Sequence, residues 1–310
     1  MIQYLRGDNN FTVLEEWEEN CWINCINPTK EERQQLVDAF AVPEYFLTDI
    51  QDIEERPRID RDEGWMLTIL QVPIRTKDED DDFIYSTIPL GILLKDKIFM
   101  TVYYKDNEVI HSFIRWKKQR KLQEYSYKNL YLSLFFEMAY WYLKYLKQIH
   151  IEMKKTESAL EKDMDQDNIQ RIMYIEKFLI YFISAMRDNE SVLMRVKRYF
   201  MNTTYDEDIL EDSEIELKQA ITSATIYSNI IEHQQMTYSS LINNSLNTTM
   251  KNLTVITICL MCATLIPGLF GMNLINGLET SNYGFLIALG LTFVSGLTGY
   301  YIFKKIYKVF

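Results

Sequence analysis

Up to Tyr103 the apolar residues fall in short runs. Met66 to Val72, Ile84 to Leu94 and Ile98 to Tyr103 are apolar, partly β-branched and of strand length. Pro89 and Gly91 predict a break or bulge in the second run. Lys77 to Asp82 predicts a solvated acidic hairpin tip, with at most a loose attraction for cations. Cys21 to Cys25 alternates like a strand, with both thiols on one face. Glu31 to Phe40 and Pro43 to Ile53 predict helices, the second opening on a proline suited to a first turn. Residues 1–125 are therefore expected to form a mixed α and β domain.

The spacing then changes. Between Gly91 and Pro267 there is neither glycine nor proline. From Ser126, residues Leu130, Leu134, Met138, Trp141, Tyr145, Ile149 and Met153 recur at steps of three and four, one face of a long helix. The polar stretch Asp163 to Asn168 predicts a hairpin tip, and Ile172, Ile175, Leu179, Phe182 and Met186 a returning helix. Residues 126–205 are expected to be a long antiparallel helix pair. After a polar break at Asn202 to Asp208, a third helix should start near Asp206 and run to Pro267. At about 60 residues it would be roughly 90 Å long, and a bilayer core needs only about 30 Å. Its first part, 206–252, is expected to be a stalk.

From Asn252 to Leu278 no residue is charged, Glu279 is a lone acid, and Thr280 to Phe303 is uncharged again. Leu253 to Leu269 and Tyr283 to Phe303 predict membrane spans, giving segments 253–270 and 283–303 joined by a loop at 271–282. Lys251 precedes the first span; Lys304, Lys305 and Lys308 follow the second, in a basic tail at 304–310. The loop has no Lys or Arg, so both termini are expected in the cytoplasm and the loop outside the cell membrane. Tyr300, Tyr301 and Tyr307 suit the inner interface. Glycosylation sequons at Asn10, Asn189, Asn202, Asn243, Asn247 and Asn252 then lie on the wrong side or at the membrane, as chance matches.

A net charge of -11 argues against a nucleic-acid partner. It fits a protein that handles cations, and equally an ordinary acidic soluble surface. Four cysteines make no secreted disulfide pattern and are expected to be buried and inert. Met1 to Leu14 has no sustained apolar stretch of signal-peptide kind. No phosphate loop, nucleophile motif or cluster of metal ligands is visible, and His111, His150 and His233 are scattered. An enzyme is not expected.

Asn247, Met250, Leu253, Thr257, Met261, Thr264 and Gly268 recur at steps of three or four across the first span, on one helical face. Small and hydroxyl residues suit a helix–helix packing face. They also suit a pore lining, which two spans per chain can form only in a symmetric oligomer. Pro267 deprives the carbonyl of Ala263 of its helical donor, and Gly268 and Gly271 permit close approach and unusual dihedrals. Asn273 follows with an uncharged amide. A ring of such amides could accept hydrogen bonds from the water around Mg²⁺, an ion that dehydrates reluctantly. Carboxylates would hold the ion too tightly for flux.

Gly271-Met272-Asn273 after a Pro-Gly pair, a short acidic loop, one more span and a Lys-rich end resemble the CorA magnesium channels. That family also includes mitochondrial magnesium channels and bacterial zinc transporters. Trp22-Ile23-Asn24, Phe40-Ala41-Val42-Pro43, Leu47-Thr48-Asp49-Ile50 and Arg56-Pro57-Arg58 extend the likeness upstream. Phe270 stands where the family has Tyr, and Gly277-Leu278-Glu279 keeps only the acid of its Met-Pro-Glu loop. Met272 resembles the magnesium branch rather than the zinc branch.

The resemblance implies an α+β cytoplasmic domain with a mixed sheet, long antiparallel helices, a stalk helix and two spans, assembled as a homopentameric funnel in the lipid bilayer. It implies a passive Mg²⁺ channel, with Co²⁺ or Ni²⁺ as further cargo; a zinc or other divalent-cation transporter, or a sensor without transport, are the alternatives. Gly271, Met272 and Asn273 would form the selectivity filter. Asn247, Met250, Leu253, Met261, Thr264 and Gly268 would face the pore, with Thr257 on the same face. Asp49 and Asp212 would sense cytoplasmic Mg²⁺ between neighbouring subunits, repelling without the ion and bridged by it. Thr48 stands where the family often has a second acid.

Overall fold

Seven strands form one sheet in the order β2-β1-β3-β7-β6-β5-β4. They are β1 (Ile2–Gly7), β2 (Phe11–Leu14), β3 (Cys21–Ile26), β4 (Arg58–Asp62), β5 (Trp65–Lys77), β6 (Phe83–Lys95) and β7 (Ile98–Tyr103). The β3–β7 pair is parallel and every other pair antiparallel. The computed structural model describes residues 1–7, 11–77, 83–119, 126–160, 166–200, 205–272 and 282–307. The tip expected at Lys77 to Asp82 lies mostly outside those residues.

Helices α1 (Lys30–Phe40) and α2 (Glu44–Gln51) cover one face of the sheet. Thr29 starts α1 through a capping box: its hydroxyl accepts from the Glu32 N–H, and Glu32 accepts from the Thr29 N–H. Ala41 ends the helix in the left-handed region, and its carbonyl accepts from the Trp65 indole at 2.8 Å. Pro43 precedes α2 as its N-cap instead of opening its first turn. Under these helices Cys21, Ile23 and Cys25 are buried with Leu36, Phe46, Leu47 and Ile50. Burial pushes the Cys25 thiol far above its ordinary range, so it stays a neutral packing group.

The other face carries α3 (Glu108–Gln119), α4 (Tyr127–Leu160) and α5 (Gln166–Phe200). Hydroxyls meet across it: Tyr131 on α4 and Thr68 on β5 are 2.7 Å apart. At the sheet centre Trp22 donates to the Thr101 hydroxyl, which donates to Asn24. These bonds satisfy polar groups that burial would otherwise penalise.

The break expected in β6 is absent. Register runs unbroken from Lys77↔Phe83 to Met66↔Leu94. Opposite Pro89 sits Gln71, whose backbone N–H and carbonyl both bond to helix side chains instead of to β6. Pro89 therefore occupies a non-hydrogen-bonded pair, where the missing N–H costs that ladder nothing. On its other side β7 pairs with β6 only from Gly91 onward. Gly91 marks close packing, since a side chain there would overlap Ile50 of α2.

Helix α6 runs unbroken from Glu207 to Phe270, 64 residues, with Pro267 inside its last turn. The helix continues three residues past the proline, to the end of the expected 253–270 segment, because only the bond to Ala263 is lost. The chain divides into two compact units, Met1–Glu232 and His233–Phe310. Within the first, Leu210, Ser213, Leu217, Ala220, Ala224 and Ile231 form the buried stripe of α6. Ser213 donates to the Leu132 carbonyl, and the Tyr227 ring stacks on His150 at 4.7 Å. The opposite face exposes Ile215, Ile226 and Ile230. The second unit contains the rest of α6 and α7 (Gly284–Tyr307).

Candidate functional site

In the second unit α6 packs on α7 through small residues. The Ser295 hydroxyl donates to the Cys262 carbonyl at 2.7 Å. A Cβ on Gly299 would stand 3.1 Å from the Cys262 sulfur, and one on Gly296 would stand 3.6 Å from Ala263. Close backbone approach is what such residues allow in an apolar solvent. The spacing of small residues from Ser295 to Gly299 is the sequence signal for this contact.

The stripe lies elsewhere on α6. Asn247, Met250, Leu253, Thr257, Met261, Thr264 and Gly268 are all exposed, Met250 at 67% and Met261 at 64%. At 100° per residue they point away from Val255, Cys259, Cys262 and Ile266, the side that meets α7. Packing within the chain therefore does not account for the stripe. The Thr257 hydroxyl donates to the Leu253 carbonyl and the Thr264 hydroxyl to the Met261 carbonyl. With those protons committed to the helix, each hydroxyl offers outward only oxygen lone pairs.

Gly268 has open space where a Cβ would stand and a Cβ on Gly271 would stand 3.3 Å from the Pro267 carbonyl oxygen, but neither has the left-handed backbone that its glycine allows. The Gly271 N–H closes the helix by donating to the Pro267 carbonyl at 2.9 Å. Met272 is exposed. Asn273, Glu279 and Lys308 lie outside the described residues. Among the described residues two helices, Glu207–Phe270 and Gly284–Phe303, are long and apolar enough to cross a membrane.

Asp49, on α2, is half-buried, and its Oδ2 accepts from the Arg58 guanidinium at 2.7 Å. The same guanidinium bonds Glu55 and reaches Asp60 at 2.5 Å, so three carboxylates share one cation. Asp212, on α6, is exposed. Among the described residues no hydrogen bond or ion pair joins Asp49 to Asp212, and no three His, Cys, Asp or Glu are placed to hold a metal. The oxygen donors suit Mg²⁺ chemically.

The fold and the two apolar helices define a membrane protein with a large α+β region ahead of its spans. The family model described as CorA-like Mg2+ transporter protein matches residues 17–305, and the chain belongs to that family. The Cobalt/magnesium transport protein CorA of Methanocaldococcus jannaschii is 27% identical over 92% of this chain and 90% of its own length. The Magnesium transport protein CorA of Helicobacter pylori is 22% identical over 96% of this chain and 92% of its own length. The complete structure of the M. jannaschii CorA magnesium transporter superposes with a TM-score of 0.84 at 26% identity, covering 99% of this chain and 98% of that one.

Proposed function

We propose that copies of this chain, five by the family resemblance, enclose a membrane pore that conducts Mg²⁺ and accepts Co²⁺ as further cargo. The exposed, uncharged, acceptor-bearing face of α6 carries the proposal. It turns away from α7, so it needs either lipid or copies of itself, and oxygen lone pairs are poor partners for lipid. The exposed Ile215, Ile226 and Ile230 support assembly in the same way. The names of the relatives, cobalt and magnesium transport proteins, support the cargo.

In this reading Asn247, Thr257 and Thr264 accept hydrogen bonds from the ion's water, while Met250, Leu253 and Met261 set the width. Gly268 leaves room, and Gly271, Met272 and Asn273 form the outer filter. The lysines flanking the spans put the outer mouth opposite the cytoplasm. A membrane potential then contributes about 4.6 kcal/mol per divalent ion per 100 mV, enough to drive uptake without coupling to another reaction. Asp49, with Glu55 and Asp60 beside it, and Asp212 of an adjacent copy hold a regulatory Mg²⁺ that stabilises the closed state.

Purified protein in sealed vesicles, given Mg²⁺, Co²⁺, Ni²⁺ and Zn²⁺ under an inside-negative potential, tests the function. Mg²⁺ entry that the potential accelerates supports it. Entry of Zn²⁺ without Mg²⁺ assigns another cargo, and no entry of any cation leaves a sensor.

A further inference from the structure

Strands β4 and β5 and the last turns of α5 line an open cleft of about 340 Å³ in the first unit, with Ile59, Arg61, Met66, Arg195, Val196, Arg198 and Tyr199 at its surface. It shares no residue with the Arg58 cluster, which takes Arg58 and Asp60 from β4, Asp49 from α2 and Glu55 from the segment between them. Three guanidiniums and no carboxylate line it. Its floor is apolar, with Val196 and Met66 buried.

Strand β4 and helix α5 fix these cations independently. Arg61 lies over the Tyr199 ring, 3.9 Å from its centroid, which orients the guanidinium through the ring face. Arg198 donates through Nε to the Met194 carbonyl at 3.4 Å, leaving its terminal nitrogens uncommitted by that bond. Arg195 and Arg198 are i, i+3 neighbours on α5, where like charges repel. Among the described residues none of the three has a carboxylate partner, whereas Lys197 beside them bonds Glu214 at 2.8 Å. A helix C-terminus attracts cations, which accounts for Lys197 and Arg198. It does not account for Arg61, which arrives from β4. In a chain of net charge -11, three unpaired guanidiniums around one apolar-floored cleft are a local inversion of sign.

We propose that this cleft binds the phosphoryl group of a small anion. Planar guanidinium forks match phosphate oxygens two at a time, which an ammonium does not. The volume is near the lower end for ligand pockets, about 300 to 1,000 Å³, so it suits inorganic phosphate or a compact phosphate ester. The phosphate of a lipid headgroup has the same chemistry.

Titration calorimetry on the full chain in detergent, without Mg²⁺ and at constant ionic strength, tests this with inorganic phosphate and with water-soluble dihexanoyl phosphatidylglycerol. Saturable binding of either, at least about tenfold weaker in Arg61→Gln, Arg195→Gln and Arg198→Gln and unchanged in Lys197→Gln, supports the site. Binding of phosphate identifies a free anion as the source, and binding of the short-chain lipid alone identifies a headgroup. All three arginines are exposed, so the variants should melt with the parent. The proposal is overturned if neither probe saturates, or if the triple arginine variant binds as tightly as the parent.

Discussion

The side-chain amide of Asn189 pairs with the backbone of Gln71 as a neighbouring strand would. Gln71 N–H donates to Asn189 Oδ1 at 3.0 Å, and Asn189 Nδ2 donates to the Gln71 carbonyl at 2.7 Å. Strand β4 ends its pairing at Arg58↔Ile69, so the amide takes over where the sheet edge runs out. Tyr142 also donates to that carbonyl, so removing Asn189 orphans chiefly the buried N–H. Asn189→Ala should lower stability by about 2 kcal/mol. Asn189→Asp should cost more, since its carboxylate would face the carbonyl. Denaturant unfolding of the purified protein measures both.

Glu137 gives the fold a pH dependence. It is 3% exposed on α4 and accepts from the Ser112 hydroxyl, and burial raises its pKa. The folded state therefore holds this proton to higher pH than the unfolded chain does. Below the unfolded value, about 4.3, both states are protonated and the group costs nothing. As pH rises from there through the folded pKa, stability is lost. Glu137→Gln keeps an acceptor for Ser112 without the charge. Its melting temperature should match the parent's in acid and exceed it increasingly towards neutral pH; an equal difference at every pH contradicts the assignment.

The contact between the spans is testable by contrast. A Cβ at Gly299 meets the Cys262 side chain, while a Cβ at Gly290 meets nothing within 4 Å. Gly299→Leu should force α6 and α7 apart, at about 1–3 kcal/mol for overpacking, and reduce recovery of assembled protein. Gly290→Leu should be tolerated. Size-exclusion chromatography in detergent reads both.

The regulatory reading predicts that Asp212→Lys weakens the protection that Mg²⁺ gives against limited proteolysis. Arg58→Gln should act oppositely, because it leaves Asp49, Glu55 and Asp60 without their shared cation. A divalent ion would then relieve more repulsion. Half-protecting Mg²⁺ concentrations for the two variants should move in opposite directions. Unchanged protection in Asp212→Lys places sensing elsewhere.

Long periodic elements could be read from the chain. The stripes of α4, α5 and α6 repeat over many turns, and uncharged stretches define the spans. Short elements whose cohesion is non-local could not. The strand β4, Arg-Ile-Asp-Arg-Asp, has one apolar residue in five and no apolar alternation, and α3 and the β1–β2 hairpin were equally illegible. Pro89 resembled a strand breaker because nothing nearby in the chain reveals the register that sets it in a non-hydrogen-bonded pair opposite Gln71, beyond the reach of β7. Asn189 registered only as a chance sequon. For the site, periodicity placed the seven stripe residues on one face. It could not say which face meets α7, since that depends on Ser295 and Gly299 more than thirty residues away.

The central claim is that the α6 face and the Gly271-Met272-Asn273 segment form an ion path. Mg²⁺ influx into vesicles holding Asn273→Ala, measured beside the parent with assembly checked for both, tests it most directly. The variant should remain assembled, and its uptake should fall to the level of empty vesicles. Uptake at the parent's rate through assembled Asn273→Ala would contradict it.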